Sequence, residues 1–591
     1  MAAKLTAIGF IAVAVISCVY WSNAETPKKR TAPVKLPEFT VRGFEEEYEG
    51  GKGNVYLGVP YVKPPVGDLR LEKPVPLEPS NKVIDAVEYS PTCYMQEDFR
   101  RFVDHSEDCL YLNIITPAKP PPPEGFPVIF WVHGGGFIYG GTVRYGYKAY
   151  IRDYAVRDVI YVNFNYRLAF YGFVTTNSSV LPGNLGLWDQ SEALKFVKRN
   201  IKAFGGNPNK ITVGGHSAGG VSSNSLAISP VTRDLFQNSI QQSGGTYEPW
   251  AFRPDIVDFS KSVAKGIGCP QTDDVALKKC LKEKGDPETI WAELRNYDFA
   301  SEDAAFCPWS PILDAEYYGG KTIPQLLEEA PIKPVLFIID SGEGLLQTLR
   351  TPNDVTFVFA YTYGLEPKDA HLYTRDNFTR DLERLYLNEK RAPPETIEQA
   401  KTDILYNFVD AEYDPSDPVY YWKKFTDVAS HTLYEYGMWL SIRKRLELGW
   451  KDQYVLLFDY VRPEDIERIR YRAAPHGYEY FWISDTSIYY ELDYPFTAYE
   501  QKFLNTWVEN FDHFAHHGKP KSNWPAVRDP ETIEYLGILQ DKIAVEDTFF
   551  EHLKYWDRTF KKYNLLATNV NKEPLYTQPR RDQPAGQKTE L

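Results

Sequence analysis

Short, nearly all-apolar runs recur along the chain, and most of them end in glycine or in a polar turn. These runs lie at residues 127–132, 159–162, 211–213, 334–339 and 454–458. Continuous apolar runs of this length are typical of strands that are buried on both faces. Helical segments lie between them, and their alternation with the strands predicts an α/β fold. We expect one large, mostly parallel, twisted sheet with helices on both faces.

The clearest helix lies between the second and third apolar runs. Leu194, Val197 and Ile201 follow the spacing of one helical face. Gly205 and Gly206 come directly after that pattern and are expected to end the helix.

Composition narrows the class of protein. Hydrophobic residues make up 43% of the 591 residues, which is enough for a large core and excludes a chain that is disordered throughout. The formal net charge of −14 argues against nucleic acid as a partner, because such a surface repels phosphate backbones.

Both ends of the chain carry the pattern of a targeting signal. At the N-terminus, Lys4 is followed by an apolar run over residues 5–19 and by small residues up to Ala24. This pattern predicts a signal peptide over residues 1–24, with an uncleaved anchor as the alternative. The last four residues, Lys-Thr-Glu-Leu, resemble the Lys-Asp-Glu-Leu retrieval signal but have Thr589 in place of Asp. A polar tail that ends in Glu-Leu by chance is the alternative. The hypothesis is a protein of the secretory pathway, in the endoplasmic reticulum lumen rather than secreted, with a retrieval receptor as a possible partner.

Other features agree with that compartment. Asn177 and Asn377 each begin an Asn-x-Ser/Thr glycosylation motif. After residue 24 the chain has no run of 18 apolar residues, so no membrane span is expected in the mature protein.

The cysteines indicate a few disulfide bonds. One of the six, Cys18, leaves with the signal peptide, and at least one of the remaining five must stay unpaired in a monomer. The shortest separations make local bridges the economical hypothesis, although spacing does not fix the connectivity. The candidate pairs are Cys93 with Cys109 and Cys269 with Cys280.

A Gly-x-Ser-x-Gly motif surrounds Ser217. It follows the run 211–213 and precedes a helical stretch over residues 221–227. A strand, a sharp turn and a helix are the context that exposes a nucleophilic serine above a sheet. The alternative is a glycine-rich turn that contains an uninvolved serine.

A serine hydroxyl needs a base, and that base needs an acid to orient it. His476 is the chosen base because Pro475 and Gly477 frame it in a loop after the run 454–458. His371 and His431 remain open. Glu343, which stands between glycines directly after the run 334–339, is the chosen acid, and Asp340 is the runner-up.

Three glycines follow the run 127–132, at Gly134, Gly135 and Gly136. Consecutive glycines let backbone N–H groups converge on one point, which is what an oxyanion hole requires. The alternative is a flexible turn.

Taken together, these motifs resemble the type-B carboxylesterase/cholinesterase family of α/β-hydrolases. The likeness runs from about Leu57 to Val527 and includes LGVPYVKPPVGDLR (57–70), SEDCLYLN (106–113), GNLGLWDQ (183–190) and FGGNP (204–208). The segments 172–176 and 234–236 look most like nematode gut-type esterases. The resemblance implies one α/β-hydrolase domain over residues 25–566 and a flexible tail over residues 567–591.

The resemblance also implies roles for individual residues. The triad is Ser217, Glu343 and His476, and the oxyanion donors are the backbone N–H groups of Gly135, Gly136 and Ala218. Ser243 is placed beside the triad and Trp250 near the acyl pocket, and Glu107 with Arg167 is expected to form an ion pair. The implied disulfides are Cys93–Cys109 and Cys269–Cys280, with Cys307 free. The resemblance implies no metal and no cofactor.

The function predicted from this resemblance is hydrolysis of small carboxylic esters through an acyl-enzyme, as a general carboxylesterase of the secretory pathway. A choline ester is not the expected substrate, because residues 93–109 lack the tryptophan that binds the choline cation in cholinesterases. Lipase or thioesterase specificity is an alternative. So is an adhesion or binding protein on the same fold, since a fold does not fix a function.

Overall fold

A computed structural model describes residues 28–95, 104–253, 255–297, 307–350, 364–485, 495–521 and 524–569. The expected signal peptide and the Lys-Thr-Glu-Leu end lie outside these residues. Within the described part, no helix combines the length and the apolar character that crossing a membrane requires.

An eleven-stranded sheet forms the centre of the molecule. Its strands are β1 (Phe44–Tyr48), β2 (Gly51–Pro60), β3 (Tyr111–Pro117), β4 (Phe126–Val132), β5 (Ile160–Phe164), β6 (Gly206–His216), β7 (Asn238–Gln242), β8 (Val335–Asp340), β9 (Gln453–Phe458), β10 (Tyr535–Ile538) and β11 (Ile543–Glu546). Their order is β11-β10-β9-β8-β7-β6-β4-β5-β3-β2-β1. The pairs from β10 to β5 are parallel, and the pairs at both edges are antiparallel. The predicted mostly parallel sheet is therefore confirmed.

Two smaller sheets accompany it. One contains Val34–Lys35, Thr40–Arg42 and Val83–Asp85, and the other pairs Thr92–Cys93 with His105–Ser106.

The α-helices of the described residues are α1 (Lys148–Asp153), α2 (Ala169–Phe173), α3 (Leu185–Asn200), α4 (Ala218–Ile228), α5 (Ile256–Gly266), α6 (Asp274–Lys284), α7 (Pro287–Leu294), α8 (Ile323–Glu329), α9 (Leu345–Thr348), α10 (Arg375–Leu385), α11 (Pro394–Ile404), α12 (Tyr420–Ser430), α13 (Tyr436–Glu447), α14 (Pro463–Ile469), α15 (Tyr480–Ile483), α16 (Ala498–His517) and α17 (Leu553–Tyr563). A π-helical turn, His431–Glu435, joins α12 to α13. The predicted helix is α3, which continues as a 3₁₀ turn to Phe204, directly before Gly205.

The central strands are covered on both faces, which explains their continuous apolar sequence. In β4, Val128, Phe130 and Val132 belong to one hydrophobic cluster, and Ile129 and Trp131 belong to a second cluster. Alternate side chains of a strand point to opposite faces, so each cluster lies on its own side of the sheet. The second cluster includes apolar side chains of α16, which covers that face.

The apolar runs found β4, β5, β6, β8 and β9, but they missed the polar strand β7. Its five residues, Asn-Ser-Ile-Gln-Gln, are all buried. Asn238 donates from Nδ2 to Thr212 Oγ1 at 3.1 Å, and Gln242 donates to Glu479. Side-chain hydrogen bonds therefore satisfy several of the polar groups that the sequence pattern assigns to a surface.

Both expected disulfides, Cys93–Cys109 and Cys269–Cys280, are present, and Cys307 is a buried free thiol.

The expected ion pair between Glu107 and Arg167 is wrong. Arg70 holds Glu107 through two hydrogen bonds of 2.6 and 2.5 Å. Arg167 instead forms hydrogen bonds of 2.8 and 2.7 Å with the fully buried carboxylate of Asp189 on α3. Each carboxylate thus faces a different guanidinium in a two-point contact.

The packed body extends slightly past residue 566. Ala567 and Thr568 are buried, and Asn569 donates from Nδ2 to the carbonyl oxygen of Pro249 at 2.5 Å.

Candidate active site

Ser217 lies at the turn between β6 and α4, with a φ of 59° and a ψ of −124°. This conformation is uncommon for a residue with a side chain. It is held in place because the backbone N–H of Ser217 donates to the carbonyl oxygen of Gln242 at 2.7 Å. A Cβ at Gly215 would lie 2.3 Å from the oxygen of Gly219, and one at Gly219 would lie 2.1 Å from the oxygen of Val132. Both glycines are therefore needed for this turn to close.

The glycine loop after β4 also depends on its glycines. Gly135 has a φ of 114° and Gly136 a φ of 57°. A Cβ at Gly135 would lie 2.0 Å from the carbonyl oxygen of Tyr139. Gly135 lies in the wall of the cavity that contains Ser217, while Ala218 is the first residue of α4, directly after Ser217.

Glu343 and His476 meet although 133 residues separate them along the chain. Glu343 Oε2 is hydrogen-bonded to His476 Nδ1, and Glu343 Oε1 accepts from the backbone N–H of Asp340 at 2.9 Å. The Gly342 N–H donates to the oxygen of Ala474 at 2.9 Å, which ties the loop after β8 to the loop that carries the histidine.

The alternatives from the sequence lie elsewhere. Asp340 accepts from the backbone N–H of Gly477 at 2.7 Å, so it supports the histidine loop and not the imidazole. His371 is exposed near the carbonyl oxygen of Lys368. His431 belongs to a separate group of side chains described below.

Ser217 and His476 line one cavity. The remaining lining residues are Gly134, Gly135, Tyr139, Gly140, Arg144, Tyr145, His216 and Leu346. The rings of His216 and Tyr434 lie 4.5 and 5.1 Å from the ring of His476, measured between centroids. The base is thus held between two rings.

The two residues expected around the triad are both buried. Trp250 packs behind Tyr434, with 5.7 Å between ring centroids, and its indole N–H donates to the oxygen of Leu433 at 2.8 Å. Ser243 has a φ of 50°, and its N–H donates to the oxygen of Ile338 at 2.8 Å.

Two further buried carboxyl groups lie beside Glu343, and one of them was not anticipated from the sequence. Burial raises the pKa of Asp340 well above its usual range and raises the pKa of Glu479 to about 8. The two carboxyl groups lie next to each other, and they can share a hydrogen bond when one of them is protonated, which leaves one negative charge on the pair. Gln242 donates to the other oxygen of Glu479.

Two histidines near the cavity are held uncharged. Burial lowers the pKa of His216 well below its usual range and lowers that of His133 to about 4. Because both rings are neutral at physiological pH, the charge at the site comes from other groups.

One group of side chains in the described residues has the composition of a metal site. His431, Glu435 and His552 place donor atoms within 4.8 Å of one another. However, the imidazole rings stack with centroids 3.7 Å apart, and the indole N–H of Trp556 donates to His431 Nδ1. Nearly parallel rings do not aim their lone pairs at one point. The arrangement therefore fits a hydrogen-bonded cluster better than a coordination shell.

Comparison with known proteins gives consistent matches over most of the chain. The profile of the Carboxylesterase family matches residues 30–556. Gut esterase 1 of Caenorhabditis elegans is 32% identical over 529 residues, which are 86% of this chain and 90% of that protein. Esterase cest-33 of the same nematode is 30% identical over 509 residues, 84% of this chain and 87% of that protein. Cholinesterase of Mus musculus is 28% identical over 599 residues, 96% of this chain and 93% of that protein. With a family match of this extent on an α/β sheet of this topology, the chain belongs to the carboxylesterase family of α/β-hydrolases.

Proposed function

We propose that the protein hydrolyses small carboxylic esters through an acyl-enzyme formed on Ser217. The observation that carries this proposal is the hydrogen bond between Glu343 and His476, which lines the same cavity as Ser217. Family membership supports the same reaction class.

In the proposed mechanism, His476 takes the proton of Ser217 as the serine oxygen attacks the ester carbonyl. Glu343 orients the imidazole and stabilises the imidazolium. The backbone N–H groups of Gly135, Gly136 and Ala218 stabilise the oxyanion. His476 then protonates the departing alcohol and activates the water that releases the acid.

The neighbouring carboxyl groups support this division of roles. Glu343 contacts the imidazole directly, whereas Asp340 accepts from the histidine loop and Glu479 accepts from Gln242. One carboxyl group in direct contact with the base is what orienting the imidazole and stabilising an imidazolium require.

The test is Ser217→Ala assayed with 4-nitrophenyl butyrate. We expect kcat/KM to fall by about 10⁴-fold or more, as when other triad serines are removed. Ser262→Ala is the matched control, since Ser262 is exposed and bonds to Tyr297 outside the site. Labelling by an organophosphate should occur in the control and not in Ser217→Ala. Unchanged turnover in Ser217→Ala would refute the role of this serine, and absence of turnover in the wild type would favour a binding protein.

Thioesters are the second candidate substrates. A relative from Anas platyrhynchos named "Fatty acyl-CoA hydrolase precursor, medium chain" is 32% identical over 406 residues, 65% of this chain. A chain-length series of matched esters, thioesters and amides separates these specificities. An optimum at medium-chain thioesters would overturn the assignment as a general carboxylesterase.

We also propose that the enzyme works in the secretory pathway, with retrieval through its Lys-Thr-Glu-Leu end. The two disulfides support an oxidising compartment. Asn177 is exposed, so it is the better glycan acceptor of the two, since Asn377 accepts hydrogen bonds from Thr374. Retrieval predicts N-glycans that are sensitive to endoglycosidase H, and deletion of residues 588–591 should release the enzyme into the medium. Complex glycans on the full chain would contradict retrieval.

A further inference from the structure

One residue of the catalytic cavity has no part in the proposed hydrolysis, and it carries a permanent charge. Arg144 is the sole Arg, Lys, Asp or Glu among the residues that line the described cavity. Its backbone lies in the short turn Thr142–Arg144, close after the glycine loop, and its side chain is half-buried.

Arg144 lacks the acidic partner that several other half-buried and buried arginines have. Arg70, Arg167 and Arg462 each form a two-point contact with a carboxylate. Among the described residues, no carboxylate lies within 4.0 Å of Arg144, and its guanidinium lies 5.4 Å from the ring centroid of Tyr139. A guanidinium in a cavity wall without a partner is free to bind an incoming planar anion at two points.

Among the described lining residues, none carries a negative charge that could pair with this cation. The neighbouring His216 ring is buried and neutral, and its Nε2 has no hydrogen-bond partner among the described residues. Asp340, Glu479 and Glu343 do not line the cavity, and they are engaged by Gly477, Gln242 and His476. An ester that enters the cavity therefore meets the guanidinium of Arg144 together with a neutral polar atom of His216.

We propose that Arg144 selects esters that carry a carboxylate group, placing that carboxylate on its guanidinium while the ester carbonyl reaches Ser217. This substrate class rests on the proposed esterase function. Arg144 acts on substrate choice and takes no part in bond making. A cationic ester is repelled by the same side chain, which adds a reason against choline esters beyond the missing tryptophan.

Matched esters test the proposal. The first pair is 4-carboxyphenyl acetate and 4-carbamoylphenyl acetate, in which the charge lies in the alcohol part. The second pair is 4-nitrophenyl hydrogen glutarate and its terminal amide, in which the charge lies in the acyl part. For each pair the ratio of kcat/KM, charged over neutral, is compared between the wild type and Arg144→Gln. The intrinsic reactivity of each ester cancels, because the same two esters are compared in both enzymes.

For at least one pair we expect the ratio to fall about tenfold in Arg144→Gln, the size of one charge-assisted contact in a partly solvated cavity. The pair that responds shows which part of the ester carries the anion. Arg42→Gln, at an exposed site on the strand Thr40–Arg42 and with the same change in net charge, should leave both ratios unchanged. Equal ratios in the wild type and Arg144→Gln for both pairs would overturn the proposal.

A binding measurement separates this inference from the proposed reaction. In Ser217→Ala, isothermal titration calorimetry should show benzoate binding more tightly than benzamide, and the added Arg144→Gln change should abolish the difference. This experiment needs no turnover, so it decides the role of Arg144 even if no ester is hydrolysed. Equal affinity for benzoate and benzamide in Ser217→Ala would refute the anion site.

Discussion

The shared proton between Asp340 and Glu479 predicts an unusual dependence of stability on pH. Burial raises the pKa of Glu479 from 4.5 to about 8. The folded state therefore holds this proton more tightly than the unfolded chain. Its contribution to the unfolding free energy is fully present below pH 4.5 and is lost as the pH rises towards 8.

The magnitude follows from the two pKa values. A rise from 4.5 to about 8 corresponds to about 5 kcal/mol as an upper limit, since Asp340 shares the proton. The unfolding entropy of the region from residue 28 to residue 569 is about 1.1 kcal/mol/K, from about 2.1 cal/mol/K per residue. Between pH 5 and pH 8 about 3–4 kcal/mol of this contribution is lost, which lowers Tm by about 3 °C.

Glu479→Gln removes this dependence while keeping the hydrogen bonds. The amide oxygen can still accept from Gln242, and the amide nitrogen can donate to Asp340. We expect the variant to match the wild type near pH 5 and to exceed its Tm by several degrees at pH 8, measured by thermal unfolding followed by circular dichroism. Glu467→Gln, at an exposed position on α14, is the control and should follow the wild type. Parallel Tm curves for wild type and Glu479→Gln would show that the shared proton does not control stability.

Three further substitutions test contacts that support the catalytic turn and the fold. Gly219→Ala places a methyl group against the backbone of Val132 at the end of β4, so it should cost about 1–3 kcal/mol and abolish ester turnover. Gly449→Ala, at a φ of 85° with open space around its Cβ, should retain turnover; equal activity of the two variants would contradict the steric argument. Asp189→Asn leaves the buried Arg167 without its counter-charge and should cost about 3–5 kcal/mol, measured by thermal unfolding. A loss below 1 kcal/mol would mean that water or another group replaces Asp189. Cys93→Ser removes a disulfide whose cysteines are 16 residues apart and should lower the free energy of unfolding by about 3 kcal/mol. A reducing agent should abolish this difference between the variant and the wild type.

The sequence predicted those parts of the site that depend on local chemistry. Ser217 needs glycines on both sides and a strand before it, and both requirements are visible within ten residues of sequence. Glu343 was preferred over Asp340 because it stands between glycines. The structure brings Glu343, and not Asp340, to His476.

The parts that the sequence did not predict depend on contacts between distant residues. β7 is polar in sequence, and it is buried because Thr212 and Glu479 accept its side-chain hydrogen bonds. Arg167 pairs with Asp189 because α3 carries that carboxylate to it, a geometry that no local pattern encodes. Arg144 became a candidate only from the structure, because no described carboxylate lies within 4.0 Å of it.

The charge of the whole chain and the charge of the site are set by different residues. The net charge of −14 comes from 80 acidic and 66 basic side chains, and at physiological salt exposed charges more than about 8 Å apart are largely screened. Within the cavity that screening is weaker, so one half-buried guanidinium outweighs many distant carboxylates. An acidic protein can therefore hold a site that attracts acidic esters. For the same reason, net charge argues against nucleic acid as a partner but cannot indicate which ester reaches Ser217.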